Sequence, residues 1–118
     1  MHESFGKYVR RVREALLAEN KGFSVRQVAK RVGVQPSYLS KVEREEVGAP
    51  GEETIRKLAE ELGENPDVLL ALGGKVSSDL RDVIMKRPKV FAQLLRELKE
   101  APDHAILRAV REVRDGSW

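Results

Sequence analysis

The sequence predicts an all-α chain, a five-helix domain followed by about three amphipathic helices. Three observations carry that expectation. Apolar residues recur at spacings of three and four along most of the chain, the period of a helix buried on one face. The interruptions are Gly, Pro, Ser and Asn placed where helices start and stop. Gly73-Gly74 is the clearest break, which divides the chain into segments 1–74 and 75–118.

The chain has 118 residues, 41% hydrophobic and 35% charged, so it can bury a modest core and remain well solvated. The net charge is +3, but the first 73 residues carry 12 basic and 12 acidic side chains, and the remaining 45 carry 10 and 7. Global charge therefore announces no polyanionic partner, and any such argument must be local. The absence of Cys excludes a disulfide framework and thiolate chemistry. No apolar run approaches the roughly 18 residues of a membrane span, and no signal peptide opens the chain. The expectation is a soluble, cytoplasmic protein without a membrane partner.

The first helix is expected over 4–19, with Ser4 as N-cap. Phe5, Val9, Val12 and Leu16 share one face, and Arg13 lies beside it. Asn20-Lys21-Gly22 breaks the helix. The second begins at Ser24, whose hydroxyl can accept an orphan N–H of the first turn. Val25, Val28, Ala29 and Val32 make its apolar face, and the small Ala29 lets another backbone cross closely. Gly33 ends it in the left-handed region, and Val34 plugs the turn. Pro36 opens the third helix, where its missing N–H costs nothing. Leu39 and Val42 give that helix a narrow inward stripe, leaving Gln35, Ser37, Ser40 and Lys41 outside.

That outer face is the informative part. A helix kept only for structure usually surrounds its stripe with Glu and Lys, whereas this one carries short hydroxyls, an amide, a phenol and one Lys. Between Asn20 and Val42 the charged residues are Lys21, Arg26, Lys30, Arg31 and Lys41, with no Asp or Glu. A local positive stripe beside a polar helix attracts a phosphate backbone. The competing reading is a helical scaffold with a solvated basic face.

Residues 44–51 form a loop marked by Gly and Pro. The fourth helix is expected over 52–62 with Ile55, Leu58, Ala59 and Leu62 inward and Gly63 closing it. Asn65 caps a fifth helix that starts at Pro66 and buries Val68, Leu69 and Leu72. Beyond Gly74, Leu80, Val83 and Ile84 mark a short helix capped by Ser77 or Ser78. Pro88 starts the next, with Val90, Phe91, Leu94, Leu95 and Leu98 on a broad apolar face. Ala101-Pro102-Asp103 starts the last, with Ile106, Ala109, Val110 and Val113 inward. Three such helices are too small a unit to close a core alone. They must pack on the first five or on a second copy, and dimerisation through Phe91, Leu94, Leu95, Leu98, Ile106 and Val110 is favoured.

The stretch Phe23–Arg44, with Ala29, Gly33, Tyr38-Leu39-Ser40 and Glu43, resembles the helix-turn-helix of Cro/cI-type repressors, the XRE family. The resemblance covers about Phe5 to Leu72. It implies a lambda-repressor-like domain that binds double-stranded DNA, usually as a dimer on two-fold sites. It implies base reading by Gln35, Ser37, Ser40 and Lys41, with Tyr38 at the rim, and phosphate contacts from Arg26, Lys21 and Arg44. It also implies an Arg13–Glu43 pair that fixes the first helix against the reading helix. Ala29, Gly33 and Leu39 are then structural. Two departures stand out. Family members commonly carry a phosphate-binding Gln where this chain has Val25, so one backbone contact is expected to be missing. The connection from Arg13 to Ser24 is several residues longer, which is expected to add a turn to the first helix. Glu45 and Glu46 would repel phosphate and are expected to point away.

No catalytic constellation, metal-ligand spacing or phosphate-binding Gly loop is present, so no enzyme, metal or cofactor is expected. His2 and His104 are isolated surface residues. The leading function is a sequence-specific DNA-binding transcriptional regulator, a dimeric repressor. The alternative is a protein-interaction module, an antitoxin that binds a toxin or a substrate cleaved by a peptidase, with 90–98 as its surface.

Overall fold

The computed structural model describes residues 2–116 and 118. Among them all regular structure is helical: α1 (Phe5–Leu17), α2 (Val25–Val32), α3 (Pro36–Glu43), α4 (Glu52–Leu62), α5 (Pro66–Leu72), α6 (Ser78–Lys86), α7 (Pro88–Leu98) and α8 (Asp103–Asp115), with a 3-10 turn at Lys21–Phe23. The chain divides into two compact units, Met1–Ser77 and Ser78–Trp118.

The helix ends of the first unit follow from local chemistry. The Ser4 hydroxyl accepts the Lys7 N–H at 3.4 Å and Ser24 accepts that of Gln27 at 3.2 Å. Asn65 accepts two N–H groups, from Asp67 at 2.8 Å and Val68 at 3.2 Å. Pro36 and Pro66 occupy first-turn positions. Gly33 and Gly63 end α2 and α4 at φ 88° and 71°, a region costly for a residue with a Cβ.

The core of this unit comes from all five helices. Val9, Val28, Ala29, Leu39, Val42, Ile55, Leu58, Leu69 and Leu70 lie at its centre, and Phe5, Val32 and Leu62 extend it. Val12, Leu16, Val25, Val34, Tyr38 and Leu72 are half-buried against it. Two expectations change. Val68 is 58% exposed, and Leu70 is buried in its place, because the seven residues of α5 direct Leu69 and Leu70 together at α4. The added residues before Ser24 do not lengthen α1, which ends at Leu17. The N–H groups of Glu19 and Asn20 both return to the Leu16 carbonyl, and the Asn20 side chain then accepts the Gly22 N–H at 2.8 Å. That local bond starts the 3-10 turn and takes the chain out of the helix.

The second unit holds α6, α7 and α8, and none of their residues is buried. Phe91, Leu98 and Ile106 are half-buried. Leu94, Leu95 and Val110 are 42%, 59% and 51% exposed, and Val113 is 68% exposed, so the expected inward face of α8 is covered only at Ile106.

Candidate nucleic-acid interface

The site is built on α2 and α3. Ala29 and Leu39 are fully buried where the two helices pack. The turn between them is set by Gly33 and Val34, whose N–H groups both donate to the Ala29 carbonyl, at 2.8 and 3.0 Å. Two N–H groups just beyond the helix end thus share one carbonyl, and only three residues separate α2 from α3. Gln35 takes the N-cap position of α3 without a side-chain cap bond, so its amide is not consumed by its own helix.

Along α3, Ser37, Ser40, Lys41 and Arg44 follow at spacings of three, four and seven and line one side. Gln35, Ser37, Lys41 and Arg44 are exposed, and Ser40 is half-buried. Tyr38 is half-buried against the hydrophobic core, so its ring forms part of the wall of α3. The exposed row carries donors, acceptors and one ammonium, the groups that read base edges.

Arg13 fixes the pose of this helix. Its Nε and Nη2 donate to the two Glu43 carboxylate oxygens at 2.7 and 2.9 Å, and its Nη1 donates to the Phe23 carbonyl at 3.1 Å. Arg13 and Glu43 are both 5% exposed. The hydrogen bond to Glu43 raises the Arg13 pKa above its ordinary value, against the opposing effect of burial. One guanidinium therefore joins α1, the end of α3 and the 3-10 turn.

The basic residues of the stripe divide into two sets. Lys21 and Arg26 are exposed, on the 3-10 turn and the first turn of α2. Arg31 is exposed but turned toward α4: its Nε donates to Glu61 at 2.6 Å and its guanidinium lies 5.3 Å from the centre of the Phe23 ring. That link between α4, α2 and the 3-10 turn was not legible from charge spacing alone. Arg44 pairs through Nε with Glu46, which raises the Arg44 pKa and lowers that of Glu46. Glu46 thus folds back onto the end of α3. Glu45 makes this possible by adopting φ 64°, the one positive φ outside glycine among the described residues.

Gly6 is a further structural residue that the sequence reading passed over. A Cβ built there would lie 2.3 Å from the Val42 carbonyl oxygen and 3.0 Å from that of Glu43. The first turn of α1 therefore rests directly on the backbone at the end of α3. An isolated Gly inside a helical pattern was the available signal.

Among the described residues no group of three or more His, Asp or Glu side chains is placed to hold a metal ion. None of their helices is long and apolar enough to cross a membrane. Comparison with curated proteins and with solved structures gives no match. The helix-turn-helix family model matches residues 12–69, which span α2 and α3 and extend into α5. The match, the α2–turn–α3 geometry and the polar outer row of α3 agree, and the chain carries a Cro/cI-type helix-turn-helix domain, that of the XRE family of DNA-binding transcription regulators.

Proposed function

We propose that the chain is a sequence-specific duplex-DNA binder that represses transcription as a homodimer. The observation that supports it most is the polar row of exposed Gln35, Ser37 and Lys41 and half-buried Ser40 on a helix whose opposite face is anchored by Leu39, Val42 and Glu43. A rigid helix presenting such groups can enter the major groove, where Gln pairs with adenine and Lys with guanine. Arg26 and Lys21 flank it as phosphate contacts, with Arg44 at its far end. The uncovered apolar faces of α7 and α8 supply the dimer contact. Gel shifts with genomic fragments, followed by sequencing of the retained DNA, test this directly. Retention of a pseudo-palindromic site supports the reading, and uniform weak binding to all fragments removes it.

A second reading rests on the same uncovered faces. A partner protein, a toxin or a peptidase, would seat on α7 instead of a second copy, and the chain could still regulate its own operon. Inspection of the adjacent open reading frame, followed by co-expression, distinguishes the two.

A further inference from the structure

A cavity of about 140 Å³ opens between α1, α2 and α3, lined by Arg10, Arg13, Val25, Ser40, Glu43 and Arg44. Its volume is that of roughly four or five waters, room for one tetrahedral anion. Glu43 is already committed to Arg13 by two hydrogen bonds, so Arg10 and Arg44 make the remaining rim cationic. Val25 supplies an apolar wall, and Ser40 borders the cavity on the side of the reading row.

The position of the cavity decides what it holds. Ser40 and Arg44 belong to the same row as Ser37 and Lys41. From Ser37 to Arg44 the row runs about 10 Å along the helix, two turns, which puts Arg44 past the residues assigned to base edges. With Ser37 and Lys41 over base edges, Arg44 and the cavity beside it reach the phosphates that border the groove.

Both arginines are held by exchangeable carboxylates. Arg10 Nε lies 3.4 Å from Glu14, each side chain about half exposed. Arg44 pairs through Nε with Glu46, and these two are also about half exposed. Exposed pairs of this kind hold weakly, so a phosphodiester oxygen can replace either carboxylate.

We propose that Arg10 and Arg44 form a seat for one DNA-backbone phosphodiester, and that Glu14 and Glu46 occupy the two guanidinium groups until DNA displaces them. The inference rests on the DNA-binding reading and adds to it a named seat and an internal competitor.

The test measures affinity of the full chain for its enriched duplex across a series of salt concentrations. Arg10→Ala should flatten the slope of log K against log salt by roughly 1, with sequence preference unchanged. Glu46→Gln should tighten binding by roughly two- to fivefold, the size of one exposed ion pair. Glu45→Gln removes the same charge one residue away and controls for general electrostatics, so it should have the smaller effect. Circular dichroism should show all three variants folded, since the side chains are exposed. A wild-type slope for Arg10→Ala overturns the seat, provided Arg26→Ala in the same assay flattens it. Equal gains from Glu45→Gln and Glu46→Gln overturn the competitor. If wild type binds no duplex, the DNA-binding reading itself fails, an outcome distinct from both. Inorganic phosphate separates the sources of the anion: a loss of duplex affinity in millimolar phosphate at fixed ionic strength, present in wild type and absent in Arg10→Ala, overturns the assignment to the DNA backbone.

Discussion

Arg13 and Glu43, thirty residues apart, face each other through two parallel hydrogen bonds of 2.7 and 2.9 Å with almost no solvent contact. The pair sits at the junction of α1 and α3, and its energetics are asymmetric. Removing one partner strands the other charge in the interior, which costs about 3–5 kcal/mol, whereas replacing both by well-packed apolar residues is often neutral. Arg13→Ala and Glu43→Ala should each lower the melting temperature sharply. Arg13→Met with Glu43→Leu should restore much of that stability. The double variant should still bind DNA less well than wild type, because the Arg13 bond to the Phe23 carbonyl is lost as well. A double variant as unstable as either single one would remove this account.

Gly6 provides a second test of the α1–α3 junction. In a free helix, Gly→Ala stabilises by roughly 0.8–1 kcal/mol. Here the new methyl meets a backbone oxygen at 2.3 Å, and backbone cannot rotate away as a side chain can. Gly6→Ala should therefore destabilise the domain by about 1–3 kcal/mol, the usual cost of overpacking. A raised melting temperature would mean that α1 shifts freely over α3.

The Tyr8 hydroxyl donates to a Glu64 carboxylate oxygen, which ties α1 to the segment after α4. That hydrogen bond, with burial and the carboxylate charge, raises the Tyr8 pKa above its ordinary value. The sign follows from the raised value. The stabilisation is fully present below the ordinary tyrosine pKa of about 10 and is lost as pH rises through the higher folded-state value. Thermal melts from neutral pH upward should show wild type losing its advantage over Tyr8→Phe in alkaline solution. A constant difference between the two across that range would exclude a contribution from the bond.

Much of the first unit was legible in the sequence because its signals are local. Ser24, Gly33, Pro36, Gly63 and Asn65 each act within a few residues, and α4 runs over 52–62 as expected. What was not legible depends on residues distant in sequence. Val68 and Leu70 differ in burial because of where α4 lies, not because of hydropathy. The commitment of Arg31 to Phe23 and Glu61 requires a partner thirty residues away. The same holds for Gly6, whose meaning comes from the carbonyl of Val42. The longer connection adds a 3-10 turn instead of extra helix, because Asn20 caps it, and apolar spacing carries no sign of that cap. The apolar faces of α6–α8 were plain in the pattern, but a pattern does not name what covers them.

On the reading helix, Gln35→Ala and Lys41→Ala should each relax preference at particular base pairs. A good bidentate pair is worth roughly 1–3 kcal/mol of discrimination. Both residues are exposed, so neither change should lower stability. Binding selection from randomised duplexes gives the measurement. Wild-type preference in both variants would move base reading elsewhere.

The dimer is tested through α7 and α8. Leu94, Leu95 and Val110 are large and exposed, and no residue of α6–α8 is buried, so the apolar surface of this unit awaits a cover. A two-fold contact would cover it with the same patch from a second copy. Two reading helices could then engage half-sites about 34 Å apart, one turn of B-DNA. Each half-site alone binds weakly, and linkage in a dimer supplies affinity through effective concentration. Sedimentation should give twice the chain mass of 13.3 kDa at micromolar concentration. Leu94→Asp with Leu95→Asp should return the chain to the monomer and weaken DNA binding steeply, while the helix-turn-helix domain remains folded. Truncation after Ser77, the end of the first unit, should do the same. A full-length chain that stays monomeric at high micromolar concentration, both free and on DNA, would overturn the dimer and return these helices to the domain's own core.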